Sequence, residues 1–296
     1  MGAGTADTPR IKIAMVTHAP PGDTFWDLVR KGAETAAAKD NVDLTYQGED
    51  QAPNQANAVQ SAIDSKVNGI AVTLAKPEPM KPAIAAAAAA GIPVVAFNSG
   101  FNDWKSANGV LEFIGQDEAG AGRAVGERLN EAGAKNAICV NQVQGHIDLE
   151  ARCAGIKETF KGTIENLYVT GTDMPSVQST IGAKLQQDPN IDYLVALGAP
   201  LAMTALHAVS DTGSKAKVGT FGTDAEVVSS IQSGNGVQWA IDTQPYLQGY
   251  LAVDSLWLYI NNRNTIGGGQ AVLTGPAFID STNVKSIAEY AKRGTR

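Results

Sequence analysis

Short apolar runs alternate with longer helical stretches from Ile11 onward. The runs IKIAMVT at 11–17, GIAVTL at 69–74 and IPVVAFN at 92–98 are nearly continuous in apolar residues. Strands of a parallel sheet that is buried on both faces have this pattern, because neither face needs polar residues. The runs recur about every 25 residues, which predicts βα units and an α/β fold.

The predicted strands form two similar series that follow each other along the chain. Helical stretches separate the strands, and KPAIAAAAAAG at 81–91 is an example in which the alanines favour helix and Gly91 ends it. The strands of the first series lie at 11–17, 42–46, 69–74, 92–98 and 110–115, and those of the second at 136–141, 164–170, 193–198, 217–222 and 237–242.

Two series predict two lobes, each a parallel sheet flanked by helices. A chain of 296 residues is also near the size at which a single core stops growing. The last helix, from Pro245, and the strand AVLTG are too little for a third domain, so we expect them to return to the first lobe. The predicted lobes are residues 10–115 with 244–275, and residues 116–243 with 276–296.

Composition and charge exclude some classes of partner. No apolar run approaches the roughly 20 residues that span a bilayer. The formal net charge is −7, and the basic residues are scattered rather than clustered. Because neutralising phosphates requires clustered Lys and Arg, we expect no nucleic-acid partner.

The two cysteines indicate the compartment. Cys139 lies in the strand at 136–141, and Cys153 lies near the start of the next helix, so the two can be close. A disulfide between them would suit an oxidising compartment. The alternative is two unrelated buried thiols. The first ten residues lack the pattern of a signal peptide, so export cannot be read from them.

Candidate ligand-binding residues follow the predicted strands, because ligands of open α/β sheets bind at the carboxyl ends of the strands. After the first strand, Asp23 can accept from hydroxyl groups, while Phe25 and Trp26 can stack on a sugar ring. Their alternative role is a helix cap with two packing aromatics. After the fourth strand, Asn98 and Ser99 are neutral groups that can orient hydroxyls.

The second lobe offers a cationic candidate after its first strand. Arg152 presents a rigid fork of donors near the start of a helix, and its alternative role is an ion pair. His146 lies in the preceding loop and is a weaker candidate.

Catalytic motifs do not fit this chain. GAGRAVG at 120–126 looks like a dinucleotide fingerprint, but its spacing differs and its glycines fall inside a predicted helix, where close helix packing explains them better. The three histidines lie far apart, which argues against a metal centre. We therefore expect no enzyme activity, no cofactor and no metal.

The motifs DTFW, PVVAFNSG, LEARCAGIK, VGTFG and AIDTQPYLQGY occur in this order along the chain. Over about residues 10–285, the sequence resembles the periplasmic sugar-binding proteins of ABC transporters, in the ribose-binding type I group. The resemblance implies two Rossmann-like lobes joined by three crossovers near Gln116, Thr243 and Gly275, with a ligand cleft between them that closes by a hinge motion.

The resemblance also implies binding roles for Phe25, Trp26, Asn98, Ser99 and Arg152, and for the segment from Asp242 to Gln244. Ribose binders carry Asp-Arg where this chain has Asn98-Ser99, so the ligand expected here is a sugar or polyol other than ribose.

Two further positions depart from the ribose-binding pattern. Asp224 lies two residues after a strand end, where it can replace the acidic residue that the family has at that end. Met174 lies in the loop where ribose binders present an aromatic, which favours a ligand less dependent on ring stacking, such as a linear polyol.

The resemblance implies an exported, monomeric solute-binding component, periplasmic or anchored to the envelope, that delivers its ligand to a membrane permease. A periplasmic receptor for signalling or chemotaxis is compatible with the same residues. The effector domain of a LacI-like repressor is disfavoured, because no helix-turn-helix precedes the first strand and a disulfide is out of place in a reducing cytosol.

Overall fold

The computed structural model describes residues 5–20 and 22–296. The described chain forms two compact units. Unit 1 comprises the described residues up to Gln116, with Gln244–Thr274 and Thr295, and unit 2 comprises Asp117–Thr243, Gly275–Gly294 and Arg296. Within residues 5–20 and 22–296, every helix is too short or too polar to traverse a bilayer.

Strands and helices alternate along most of the described chain. The strands are β1 (Ile11–Thr17), β2 (Val42–Gly48), β3 (Gly69–Val72), β4 (Val94–Asn98), β5 (Val110–Gly115), β6 (Asn136–Asn141), β7 (Thr163–Tyr168), β8 (Tyr193–Ala196), β9 (Lys217–Phe221), β10 (Trp239–Asp242), β11 (Val272–Leu273) and β12 (Ala277–Asp280). The helices are α1 (Thr24–Lys39), α2 (Ala52–Asp64), α3 (Pro77–Ala89), α4 (Glu118–Glu131), α5 (Ile147–Thr159), α6 (Met174–Gln187), α7 (Ala199–Thr212), α8 (Ala225–Ser233), α9 (Pro245–Asn262) and α10 (Ala288–Lys292).

Each unit contains one six-stranded sheet. The strand order is β11-β5-β4-β3-β1-β2 in unit 1, where all neighbours are parallel, and β12-β10-β9-β8-β6-β7 in unit 2. The expected α/β fold is confirmed. The exception to parallel pairing is β12, which runs antiparallel to β10 and which the sequence pattern does not predict. Its four residues, AFID, are too few to show a period.

The core explains why the central strands are largely apolar. Successive residues of a strand point to opposite faces, so Ala14 and Val16 of β1 pack with α2 and α3, while Ile13 and Met15 pack with α1 and α9. Unit 2 repeats this arrangement on either side of β6. Helices cover both faces of the central strands, so most of their polar side chains lie near the strand ends, whereas the edge strands β2 and β7 carry polar residues along their length.

Glycines bring one pair of helices into close contact in each unit. A Cβ atom at Gly122 of α4 would overlap the carbonyl oxygen of Arg152 on α5, and one at Gly155 of α5 would overlap that of Ala119. In unit 1, Gly32 of α1 and Gly249 of α9 form the same kind of contact. Gly122 and Gly126 of GAGRAVG therefore serve helix packing, as the sequence predicts, whereas Gly120 lies against the N-cap residue Asp117 of its own helix.

One helix begins earlier than the sequence predicts. The pattern predicts a helix over 81–91, but α3 begins at Pro77. Pro77 and Pro79 lie in the first turn, where backbone N–H groups have no partner within the helix, so prolines are tolerated there. Gly91 follows the C-cap with a φ of 73°, as expected of a residue that ends a helix.

The predicted disulfide is confirmed. Cys139 of β6 and Cys153 of α5 are bonded, with their Cα atoms 5.9 Å apart, and both are buried. The bridge links the sheet of unit 2 to the helix that carries Arg152. It closes a short loop, since the two cysteines are 14 residues apart.

Removing the bridge should lower the stability of unit 2. The double variant Cys139→Ser/Cys153→Ser should lose about 3 kcal/mol of unfolding free energy, because the unfolded chain regains the entropy of an open loop. Urea unfolding with and without reductant measures the loss. Reductant should destabilise the original chain and leave the double variant unchanged, and equal curves for both proteins would contradict the expectation.

A methyl group at the close helix contact should also be destabilising. Gly155→Ala should cost about 1–3 kcal/mol, because the added Cβ pushes α5 away from α4. Gly182 of α6 is a matched control, since a Cβ there meets only Thr212 at 3.6 Å. Gly182→Ala should stabilise by about 0.5–1 kcal/mol through helix propensity. Equal effects of the two changes in urea unfolding would rule out the close contact as the cause.

Candidate ligand-binding site

In unit 1, the N-terminus of α1 brings together three predicted residues. Asp23 is the N-cap, and its Oδ1 accepts from the backbone N–H of Phe25 at 3.0 Å. Burial raises the pKa of Asp23, and the bond from Phe25 only partly offsets that rise. Phe25 and Trp26 pack edge to face with ring centroids 5.2 Å apart. Trp26 is buried in the core, and Phe25 is the more accessible ring.

His18 joins this group, although the sequence analysis does not select it. Its ring lies edge-on to Trp26, with centroids 4.8 Å apart. The hydroxyl oxygen of Thr73, the residue after β3, accepts from the backbone N–H of His18 and from Nε2 of Gln55, each at 3.0 Å. Both lone pairs of Thr73 Oγ1 are then used, so its proton points to Nδ1 of His18, 2.8 Å away.

Because Nδ1 of His18 accepts from the Thr73 hydroxyl, the ring proton of the neutral imidazole lies on Nε2. His18 therefore has a fixed orientation at the carboxyl end of β1. The signal available in the sequence was its position directly after the strand IKIAMVT.

Asn98 and Ser99 lie together at the end of β4. The Nδ2 of Asn98 donates to Oε1 of Gln248 at 3.0 Å, and its Oδ1 accepts from the Ser99 hydroxyl at 3.1 Å. Asn98 has a φ of 63°, in the left-handed region that asparagine tolerates better than most residues. Gln248 lies inside α9, so a rule that inspects only strand ends misses it.

Gln244 immediately precedes α9 in unit 1. Its Nε2 donates to the carbonyl oxygen of Thr274 at 2.7 Å, and its φ of 57° is also left-handed. Gln244 therefore holds the segment around Thr274 against the start of α9.

In unit 2, Arg152 forms an ion pair with Glu118 of α4. The Nε and one terminal nitrogen donate to the two carboxylate oxygens at 2.7 and 2.9 Å, and the other terminal nitrogen is 3.4 Å from the Leu197 carbonyl oxygen. The guanidinium lies 4.7 Å from the centre of the Phe221 ring. Burial alone would lower the pKa of Arg152, but attraction to Glu118 outweighs it and raises the pKa.

The ion pair is the alternative that the sequence left open for Arg152, and its partner is 34 residues away in the chain. The guanidinium nevertheless lies at the strand ends, because Leu197 follows β8 and Phe221 ends β9. Gln142, the residue after β6, donates to the same Leu197 carbonyl oxygen at 3.2 Å. Within the described part of the chain, its buried Oε1 has no hydrogen-bond partner.

Three other predicted residues of unit 2 lie at helix starts. His146 caps α5, accepting from the Asp148 N–H at 3.3 Å, and Asp224 caps α8, accepting from the Val227 N–H at 2.8 Å. Met174 begins α6, where it packs against the core and its sulfur accepts from the Thr204 hydroxyl at 3.3 Å.

Asp242 ends β10 and is fully buried in unit 2. Its Oδ2 lies 2.7 Å from a guanidinium nitrogen of Arg296, so its charge is balanced within the unit. Among residues 5–20 and 22–296, no group of three His, Cys, Asp or Glu side chains is placed to hold a metal ion.

Residues 13–264 match the family model described as a periplasmic binding protein domain. A similar solved structure is the carbohydrate transporter from Acidothermus cellulolyticus in complex with myo-inositol. It is 55% identical, with a TM-score of 0.95, and the match covers 97% of this chain and 100% of that one.

Two further relatives are more distant. The periplasmic sugar-binding protein of an ABC sugar transporter from Legionella pneumophila is 30% identical with a TM-score of 0.82, over 90% of this chain and 100% of that one. The xylose/arabinose-binding protein of Sulfolobus acidocaldarius is 25% identical, over 94% of this chain and 73% of its own length.

The ion pair of unit 2 gives a stability prediction. Arg152→Ala should lower the unfolding free energy of the ligand-free protein by about 3–5 kcal/mol, because it removes the cation beside the buried Glu118 carboxylate. Arg123, which pairs with Asp117 and Glu158 at the surface, is the control, and Arg123→Ala should cost at most about 1 kcal/mol. Urea unfolding compares the two, and similar losses would contradict a structural role for Arg152.

Proposed function

The chain belongs to the periplasmic binding protein family, and from this premise we propose that it captures a neutral polyol or sugar outside the cytoplasm and delivers it to the permease of an ABC importer. A periplasmic binding protein domain implies solute binding rather than catalysis and an extracytoplasmic location. The disulfide between Cys139 and Cys153 agrees with an oxidising environment. It also argues against the cytosolic repressor alternative.

The observation that carries the neutral ligand is the ion pair of Arg152. Its fork faces Glu118, so a ligand carboxylate or phosphate would have to compete with a carboxylate that is already bonded at 2.7 and 2.9 Å. Asp242 is likewise balanced by Arg296. Uncharged hydroxyl groups need no such exchange, because they can donate to and accept from the groups already present.

A cyclic polyol fits better than a linear one. The carbohydrate transporter from Acidothermus cellulolyticus, at 55% identity, is in complex with myo-inositol. The sequence expectation of a linear polyol depended on Met174 facing the ligand, but the Met174 side chain packs against the core of unit 2. We therefore propose myo-inositol, or a sugar with a similar ring of hydroxyls, as the ligand class.

The binding groups proposed for unit 1 are Asn98, Ser99 and Phe25, and His18 is added to those selected from the sequence. Amide and hydroxyl groups of this kind orient the hydroxyls of a ligand, while an aromatic ring covers its C–H face. In unit 2 we propose Gln142 beside Arg152, since its Oε1 is an acceptor with no partner among the residues described. His146 and Asp224 remain candidates, with their side chains engaged as helix caps.

The protein is proposed to act as a monomer and to be either periplasmic or anchored to the envelope. The ligand would favour the conformation that makes the most contacts with it, because the other conformations lack those contacts. Delivery to a permease requires release, so a moderate affinity is expected for the transport role.

Binding can be tested with a panel of defined probes. Myo-inositol at 100 times its Kd should raise the unfolding free energy by about 2.7 kcal/mol, because only the folded protein binds it. Thermal unfolding with myo-inositol, D-xylose, D-ribose and sorbitol gives the ranking, and titration calorimetry gives Kd. We expect myo-inositol to stabilise most and D-ribose least.

The charged control is myo-inositol 1-phosphate. It should stabilise far less than myo-inositol, because Glu118 already occupies the guanidinium of Arg152. Stronger stabilisation by the phosphate ester, or none by any neutral probe, would refute the proposal of a neutral polyol.

A further inference from the structure

A chain of hydrogen bonds inside unit 1, here named the relay, links Asn98 to the backbone of β5. Nδ2 of Asn98 donates to Oε1 of Gln248 at 3.0 Å. Nε2 of Gln248 donates to the Thr274 hydroxyl oxygen at 2.9 Å, and that hydroxyl donates to the Gly115 carbonyl oxygen at 3.2 Å. The relay thus passes through one helix and one loop to reach a backbone group.

The backbone end of the relay fixes its direction. A carbonyl oxygen can only accept, and the Gly115 oxygen accepts both the Thr274 backbone N–H at 2.7 Å and the Thr274 hydroxyl proton at 3.2 Å. Thr274 then accepts from Gln248, which must present Nε2 to it and Oε1 to Asn98. Asn98 must in turn present Nδ2 to Gln248. The orientation of the Asn98 amide is therefore set by a carbonyl group three hydrogen bonds away.

We propose that Gln248 is a positioning residue that fixes the amide orientation of Asn98 and thereby the order in which Asn98 offers an acceptor and a donor to a ligand hydroxyl. The inference rests on the proposed function, in which Asn98 binds the polyol. Gln248 itself acts through Asn98 and is not assigned a ligand contact.

Burial makes the amide orientation of the relay costly to reverse. Gln248 and Thr274 are 1% and 3% exposed, so water is poorly placed to replace a lost partner. Turning the Asn98 amide would set two oxygens, its own and that of Gln248, against each other, and a buried polar group without its bond is costly. Ser99 supports the same orientation, because its hydroxyl donates to Oδ1 of Asn98 at 3.1 Å.

The relay also reaches the segments at which the chain passes between units. Gly115 precedes Gln116, the last residue of the first segment of unit 1, and Thr274 ends the second segment. Gln244 begins that second segment and donates to the Thr274 carbonyl oxygen. The relay thus ends on the backbone beside one segment boundary, and Thr274, at a second boundary, is bonded to Gln244 at the third.

Two substitutions at position 248 separate orientation from packing. Gln248→Glu keeps an oxygen facing Asn98 whether the carboxyl is ionised or protonated, so it preserves the orientation. Gln248→Met keeps the length of the side chain but removes the acceptor. Gln60 of α2 is an exposed glutamine of the same unit, and Gln60→Met is the matched control.

The affinity of the folded variants for myo-inositol is measured by calorimetry at a temperature where each is folded. We expect Gln248→Glu to bind within about threefold of the original chain and Gln248→Met to bind at least about tenfold more weakly, since one buried hydrogen bond is lost. A packing role predicts the opposite order, because Met is the better tolerated buried side chain and Glu carries a charge. That opposite order would overturn the proposal.

Thr274 gives an independent check. Thr274→Val removes the group that orients Gln248 and should weaken binding about fivefold in the original chain. In the Gln248→Glu background the same change should have less than about a twofold effect, because the two oxygens of a carboxylate are equivalent toward Asn98. Equal effects in both backgrounds would also overturn the proposal.

A ligand-free measurement distinguishes failure of the relay from failure of the proposed function. The side-chain amide protons of Asn98 should exchange slowly with solvent in NMR spectra of the original chain and of Gln248→Glu, and about tenfold faster in Gln248→Met. If no neutral polyol binds but this pattern holds, the proposed function fails and the relay stands. Fast exchange of these protons in the original chain would refute the relay, whatever binds.

Discussion

Burial of each sheet on both faces is the constraint on which the two units depend. Since β1 sends Ala14 and Val16 to one helical layer and Ile13 and Met15 to the other, neither face of this segment has room for a polar side chain. In the central strands most polar side chains therefore lie near the strand ends, and parallel pairing brings those that follow the strands together at one edge. In both units this edge holds the polar groups that we propose as ligand contacts.

This constraint explains how much could be predicted from the sequence. The strands, the disulfide and the helix-packing role of Gly122 follow from local patterns, and each is found in the structure. Asn98 and Ser99 could be selected because they follow a strand directly. What they bond to could not be predicted, because Gln248 is 150 residues away and lies inside a helix, where a buried glutamine resembles any other polar residue.

Other features also depend on contacts distant in the chain. Glu118 opens α4 and reads as a residue that complements the start of a helix, and only the packing of α4 on α5 shows that it pairs with Arg152. The left-handed conformation of Asn98 leaves no pattern in the sequence. The strand β12 is too short to have one, and its pairing with β10 is supplied by the edge of the sheet that β10 would otherwise expose.

The glycines between α4 and α5 have a consequence for engineering new specificity. The backbones of α4 and α5 touch at these glycines. The spacing of the two helices, and with it the distance from Arg152 to Glu118, is therefore set by backbone contact and cannot be adjusted in small steps by changing other side chains. A library that randomises the strand-end residues proposed as ligand contacts can therefore vary them while the helix spacing stays constant. One that includes Gly122, Gly126 or Gly155 would change recognition and scaffold together, and its selected variants would be difficult to interpret.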